Sequence, residues 1–130
     1  MRVLLPAGWP RPRGYSNGVA VRGEMIFVAG MVGWDTDGRF PSDTLAGQAR
    51  MALQNVVAVL HEAGAKPEHI VRMTWYVLDK RAYMAAAVEL GAAYREIMGS
   101  YNAAMSAVEV SALMEDAALV EIEVTAVIPE

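Results

Sequence analysis

A strand-like alternation of apolar and polar residues marks the stretch Leu119-Val120-Glu121-Ile122-Glu123-Val124-Thr125-Ala126-Val127-Ile128. Side chains of a strand point alternately to its two faces. One face is wholly apolar and carries Val120, Ile122, Val124, Ala126 and Ile128. The other face carries Leu119, Glu121, Glu123, Thr125 and Val127. We expect the wholly apolar face to pack against helices.

Other strand-like segments lie upstream of this one. Gly18–Arg22 and Met25–Ala29 flank a turn signal at residues 22–24 and predict a hairpin. Two further strands are expected at Ile70–Leu78 and Met105–Val110. The predicted sheet therefore has strands from both halves of the chain.

Two segments show helical spacing of their apolar residues. The first begins after a cap at Ser42 or Asp43 and stops at Gly64, and the second runs over Arg81–Met98. The order β-β-α-β-α-β-β and right-handed crossovers predict an α+β fold, a mixed sheet with both helices on one face.

The predicted strand around Met25 is unusual because both of its faces are apolar. Ile26, Val28 and Val32 lie on one side, and Met25, Phe27, Ala29 and Met31 lie on the other. Two helices on one face of the sheet leave the second face bare. A bare apolar face favours an obligate oligomer.

The composition limits the class of protein. The chain has 130 residues, 55% of them hydrophobic and 20% charged, which predicts one globular domain over residues 1–130. Its longest nearly uninterrupted apolar run has about ten residues, whereas a membrane helix needs about 20. The absence of cysteine favours a cytoplasmic location. A net charge of −4 argues against nucleic acid as a partner.

The charges are unevenly distributed along the chain. Arginines but no acids occur in residues 1–23, and acids but no Lys or Arg occur in residues 96–130. The basic arm, residues 1–13, either binds an anion or belongs to an end that pairs with the acidic one, within the fold or across a subunit contact. We favour the second interpretation.

Few residues are suited to chemistry. The phosphate-binding glycine motifs and the H-E-x-x-H zinc motif are absent, and His61 and His69 lack a third ligand, so we expect no metal and no cofactor. Glu121 and Glu123 point to the bare face, where burial would raise the pKa of a carboxyl toward that of a general acid or base. An interface ion pair is the alternative, which we favour for Glu123.

Four other residues are candidates for a binding site because of where they lie relative to the predicted strands. Tyr15 lies in a loop before the first strand, and Met105 and Ser106 open the penultimate strand. Gly30 interrupts an apolar strand, which indicates either close approach of a ligand or a bulge.

An ordered set of motifs across residues 14–127 resembles the RidA/YjgF family. These motifs are Gly14–Val19, Ile26–Gly30, Leu53–Val56, Ala63–Ala65, Val108–Val110 and Val120–Ala126. The resemblance implies a chorismate-mutase-like fold and a homotrimer, with small-molecule sites in clefts between subunits. It also implies hydrolysis of an enamine or imine to a carbonyl compound and ammonia.

The resemblance assigns roles to individual residues. Glu121 corresponds to the glutamate that places the attacking water, Tyr15 and Gly30 to pocket residues, and Ser106 to the position after a carboxylate-binding arginine. That arginine is replaced by Met105, and a thioether cannot form the forked contact with a carboxylate.

Other departures from the family pattern point the same way. Met31 replaces a common glutamine, and Gly91 stands where many members have asparagine. These changes indicate a less polar substrate pocket, to which Trp34 contributes a wall.

Three functions follow from this reading. The first is a cofactor-independent deaminase, a hydrolase for a small reactive enamine or imine. The alternative is a non-catalytic trimer that binds a metabolite or regulates a partner, which loss of the arginine favours. An endoribonuclease or translation inhibitor is the weakest candidate, because the acidic balance does not suit RNA.

Overall fold

The computed structural model describes residues 1–100 and 103–130. Its strands are β1 (Arg2–Leu4), β2 (Gly18–Ala20), β3 (Gly23–Val32), β4 (Ile70–Val77), β5 (Ala104–Glu109) and β6 (Val120–Pro129). Its helices are α1 (Leu45–Glu62), α2 (Lys80–Ala85) and α3 (Ala87–Met98), with a single 3₁₀ turn at Pro67–His69.

The main sheet is mixed and has the strand order β3-β6-β4-β5. β6 lies antiparallel to both β3 and β4, whereas β5 runs parallel to β4. The helices cover one face, where the core includes Leu53 and Leu60 of α1, Leu90 of α3 and Ile122 of β6. The predicted α+β class, with helices on one face of a mixed sheet, is confirmed.

The predicted hairpin between residues 18–22 and 25–29 is wrong. β2 instead pairs antiparallel with β1, a strand in the basic arm that the sequence pattern does not predict. The predicted turn at residues 22–24 overlaps a strand, because β3 begins at Gly23 and pairs there with Pro129. A Cβ on Gly23 would lie 1.8 Å from the carbonyl oxygen of Ile128, so only glycine allows this pairing.

The helices also differ from the prediction at their boundaries. Thr44, rather than Ser42 or Asp43, caps α1, and its hydroxyl accepts a hydrogen bond from the Gly47 N–H at 3.1 Å. The second predicted helix is divided at Ala86 into α2 and α3. Alanine is the strongest helix former, so the local sequence gave no sign of this break.

A β-bulge changes the phase of β3. Val28 pairs with Val124 and Met31 pairs with Ile122, so Ala29 and Gly30 together stand opposite one residue of β6. Met31 consequently packs against the core under the helices, and its predicted place on the bare face is wrong. Of the two explanations for Gly30, the bulge is present.

The second face of the sheet, which we term the open face, carries no helix of the described chain. Phe27 and Met25 remain 71% and 57% exposed there. Glu121, Glu123 and Thr125 are half-buried beside them. The basic and acidic ends form no ion pair with each other within the described residues, where the one ion pair joins Arg50 to Glu96.

Candidate functional site

Glu121 and Gly30 lie against each other on the open face. A Cβ on Gly30 would be 2.2 Å from Oε2 of Glu121 and 2.9 Å from its Cγ, so the carboxylate occupies the space that any side chain at position 30 would need. The bulge in β3 brings Gly30 to this position. The bulge at Gly30 is therefore confirmed, whereas the group that approaches its backbone in the described chain is the Glu121 side chain, and approach of a ligand stays a prediction. We call these two residues the Glu121–Gly30 pair.

The two glutamates of β6 have different surroundings. Glu123 accepts a hydrogen bond from the hydroxyl of Tyr76 at 2.5 Å. This bond, with burial and the two nearby carboxylates, raises the pKa of Tyr76. Glu121 accepts no hydrogen bond from any described residue, so its carboxylate is available to a water molecule or a ligand.

A pocket of about 720 Å³ opens on the helix side of the sheet. Tyr15 and Met105 line it, together with residues of α2 and α3, and we call it the Met105 pocket. Ser16 holds the loop that carries Tyr15 against the start of β5, because its N–H donates to the carbonyl of Ala103 at 2.9 Å. Two of the predicted binding residues are thus brought together.

The wall of the Met105 pocket is mainly apolar and aromatic. Trp75, Tyr83 and Leu90 line it, and the rings of Trp75 and Tyr83 meet edge to face with their centroids 6.2 Å apart. The Trp75 indole N–H is buried and has no hydrogen-bond partner among the described residues. An unsatisfied buried donor is rare in folded proteins and marks this wall as unusual.

Two arginines, which the sequence analysis did not assign to the pocket, also line it: Arg13 and Arg95. The guanidinium of Arg95 lies over Gly91, where a Cβ would be 3.2 Å from Nη1. Residues four apart share one face of a helix, so the spacing of Gly91 and Arg95 was a signal available in the sequence.

The remaining predicted residues lie elsewhere. Ser106 is on the open face, in register with Thr74, and so points away from its neighbour Met105. Met31 packs against the core. Trp34 stacks at a tilt on Phe40, with ring centroids 6.2 Å apart, in the loop after β3.

The Met105 pocket and the Glu121–Gly30 pair are separate within one protomer. Met105 pairs with the buried Met73 and faces the helices, whereas Glu121 lies between Val120 and Ile122 and faces the opposite way. Gly30 and Met105 lie on the two edge strands, three interstrand spacings or roughly 14 Å apart. One small molecule cannot touch both within a single chain.

Two amides of α1 hold the framework around these residues. The Asn55 side chain donates to the carbonyls of Val32 and Trp34, each at 2.9 Å, and so fixes the end of β3. The buried Gln48 accepts from the Leu119 N–H at 2.7 Å and donates to the Ala117 carbonyl at 2.9 Å. These bonds tie the start of β6 to α1.

Residues 1–100 and 103–130 contain no group of His, Asp and Glu side chains arranged to hold a metal ion. His69 instead accepts a hydrogen bond through Nδ1 from the Lys66 N–H at 2.9 Å. No helix in the described part of the chain has the length and apolar character needed to cross a membrane.

Comparison with known proteins places these features in a family. The family model described as Endoribonuclease L-PSP matches residues 10–128. The chain belongs to this family, RidA/YjgF. A protein of the conserved Rid family from Yersinia pestis, described as of unknown function, shares the fold with a TM-score of 0.83 and 34% identity, covering 98% of each chain.

Sequence relatives add to this assignment. A RutC family protein of Pyrococcus abyssi is 34% identical over 126 residues, covering 95% of this chain and 94% of the relative. The 2-iminobutanoate/2-iminopropanoate deaminase of Escherichia coli K12 is 36% identical over 117 residues, covering 87% of this chain and 84% of that one. Imine deamination is therefore an activity of the family.

Proposed function

We propose that this protein is a cofactor-independent deaminase that hydrolyses an imine, or the enamine in equilibrium with it, to a carbonyl compound and ammonia. The observation that carries the proposal is the free carboxylate of Glu121, held over Gly30 on the open face. The similarity to a named iminobutanoate/iminopropanoate deaminase supports the same chemistry.

The reaction requires one water molecule and one base. Protonation of the enamine carbon gives an iminium, and the Glu121 carboxylate takes a proton from water as the water oxygen bonds to the imine carbon. The protonated Glu121 returns this proton to the nitrogen of the resulting carbinolamine, which leaves as ammonia. The hydroxyl group then releases its proton to solvent, which balances the proton that solvent supplied to the enamine carbon, and the C–O bond becomes a carbonyl. One water is consumed, one ammonia is released, and no electrons are transferred to a cofactor.

The complete site is built between subunits of a homotrimer in this proposal. A substrate in the Met105 pocket of one protomer would meet the Glu121–Gly30 pair of its neighbour, since the two lie on opposite faces within one chain. The exposed Phe27 and Met25 supply an apolar surface for that contact. A three-fold, head-to-tail arrangement repeats the same cleft three times.

A second candidate function is a non-catalytic trimer that binds a small metabolite. Met105 favours it, because a thioether at this position cannot hold a carboxylate as an arginine does. The Glu121–Gly30 pair opposes it, since a carboxylate without a hydrogen-bond partner has no evident structural role in the described chain.

The test is ammonia release from a panel of small and bulky 2-imino acids, generated in situ. Glu121→Gln keeps the shape of the side chain but removes the base, and we expect its rate to fall by roughly 100-fold or more. Glu115→Gln, at an exposed loop position, is the matched control and should retain the wild-type rate. Equal rates for wild type, Glu121→Gln and buffer across the panel would favour the binding function.

A further inference from the structure

We propose that Arg95, assisted by Arg13, binds the carboxylate of a ligand with a bulky apolar group in the Met105 pocket. This inference rests on the proposed function in one respect, because it takes the Met105 pocket to be the substrate site. It names the class of ligand: carboxylates with an aromatic or branched aliphatic side chain, rather than the smallest imino acids.

Gly91 is the feature that directs Arg95 to the pocket. The guanidinium lies along α3 above Gly91, with Nη1 3.2 Å from the place of a Cβ. A longer side chain at this position, such as that of asparagine, would occupy the space that the guanidinium takes. The glycine at 91 and the methionine at 105 are therefore compatible with an anion site, because the glycine leaves room for the Arg95 guanidinium in a pocket where position 105 supplies no cation.

The electrostatics of the pocket favour an anion. Among the residues that the structure describes, two arginines and no acidic residue line it. The guanidinium groups of Arg13 and Arg95 form no hydrogen bond or ion pair with any described residue, so their donors are not already used within the described part of the chain. A guanidinium presents a fork of N–H donors that matches the two oxygens of a carboxylate.

The size and lining of the pocket indicate the size and polarity of the group attached to the ligand's carboxylate. A volume of about 720 Å³ is typical of a site for a drug-sized molecule, and a three-carbon imino acid would leave most of it filled with water. Trp75, Tyr83, Leu90 and Met105 offer apolar and aromatic contact away from the arginines. An aromatic or branched side chain would displace water from this surface.

Binding of an unreactive probe tests the inference without catalysis. We would use calorimetry to measure the affinity of the full-length protein for 3-phenylpropanoate, for its uncharged amide 3-phenylpropanamide and for propanoate. We expect 3-phenylpropanoate to bind at least roughly 10-fold more tightly than either of the other two, because only it has both the charge and the ring. Equal affinity for the acid and the amide would overturn the proposal.

Two variants assign the effect to Arg95. Arg95→Leu should weaken the binding of 3-phenylpropanoate by roughly 10- to 100-fold and leave the affinity for the amide within about two-fold of the wild-type value. Gly91→Asn should displace the guanidinium and so weaken the binding of 3-phenylpropanoate, again without weakening that of the amide. Arg39→Leu, in the exposed turn before α1, is the control and should change neither. Equal losses in Arg95→Leu and Arg39→Leu would contradict the proposal.

The outcome is separable from that of the proposed function. Selective acid binding that depends on Arg95, with no ammonia release on any substrate, would support this inference and overturn the deaminase. Ammonia release that depends on Glu121 but is indifferent to Arg95→Leu would support the deaminase and overturn this inference.

Discussion

At position 30, the missing side chain creates the space in which the Glu121 carboxylate lies. The contact is so close that even a methyl group would have to displace Oε2. At position 105, a flexible apolar side chain forms part of the pocket wall. The proposed chemistry uses the Glu121 carboxylate, and positions 30 and 105 shape the surroundings of that carboxylate and of the pocket.

Gly30→Ala should displace the Glu121 carboxylate while the residue itself remains compatible with a strand. Because a displacement of about 1 Å at a reacting group can cost 10²-fold in rate, we expect ammonia release to fall by roughly 100-fold. Gly18→Ala in β2 serves as the control, since its Cβ would meet only the Leu4 side chain, at 3.3 Å. A Gly30→Ala protein with the wild-type rate and circular dichroism spectrum would show that the Glu121 position is not critical.

Met105→Arg introduces a forked donor for a carboxylate at the start of β5. We expect kcat/KM for 2-aminoacrylate, the enamine of the smallest imino acid considered, to rise by roughly 10-fold or more, the range of a hydrogen bond to a charged group. The comparison with Met105→Leu separates charge from packing. An unchanged rate on 2-aminoacrylate would mean that substrates do not reach this position.

Among the elements, α3 and β3 each contain a local irregularity that serves the site. α3 accepts a glycine at position 91 within its helix, and β3 contains the bulge at Ala29 and Gly30. Both reduce local regularity, and both lie beside a residue proposed to meet the substrate. Such exceptions to local propensity are common at functional sites.

Gly91→Ala tests whether α3 gives up stability at this position. A glycine in a helix interior is less favourable than alanine by about 0.5–1 kcal/mol, so the variant should unfold with a free energy higher by about that amount. The new methyl would contact only the mobile end of Arg95, at 3.2 Å, which can shift. Urea denaturation monitored by circular dichroism gives the measurement, and a destabilised variant would contradict this reading of the glycine.

The regular parts of these elements could be predicted from the sequence, whereas their irregular parts could not. The alternation in residues 119–128 and the spacing in α1 predicted β6 and the first helix correctly, because burial of one face imposes a period. The bulge moved Met31 to the core without any change in the apolar pattern, since both faces of β3 are apolar. The break at Ala86 lies within a run of alanines, where propensity favours continuity.

The geometry of the candidate site could be predicted from the sequence only in part, and its role stays a prediction. Glu121, Gly30, Tyr15 and Met105 follow from ordered motifs, and the structure brings them together as two pairs rather than one group. Arg95 was not predicted, because its spacing from Gly91 shows only that the two share a helix face, and tertiary packing decides that this face lines the pocket with Met105. Ser106 points away from Met105 because successive residues of a strand face opposite sides.

For the whole molecule, the central question is how the two separated groups could act on one substrate. The Met105 pocket opens on the helix side, and the Glu121–Gly30 pair lies on the open face among exposed apolar residues. A single protomer has both groups but cannot use them together. Assembly through the open face would bury the exposed Phe27 and Met25. It would also bring the Glu121 carboxylate of a neighbour to the Met105 pocket.

Complementation between two inactive variants tests this claim most directly. Glu121→Gln removes the base, and Met105→Glu places a repelling carboxylate in the pocket; each alone should be nearly inactive. If sites form between neighbours in a trimer, refolding the two in equal amounts should restore about a quarter of the wild-type ammonia release, because one cleft in four then combines two intact halves. Native mass spectrometry of the mixture would verify that mixed trimers form. Mixed trimers that remain as inactive as either variant alone would contradict the shared site.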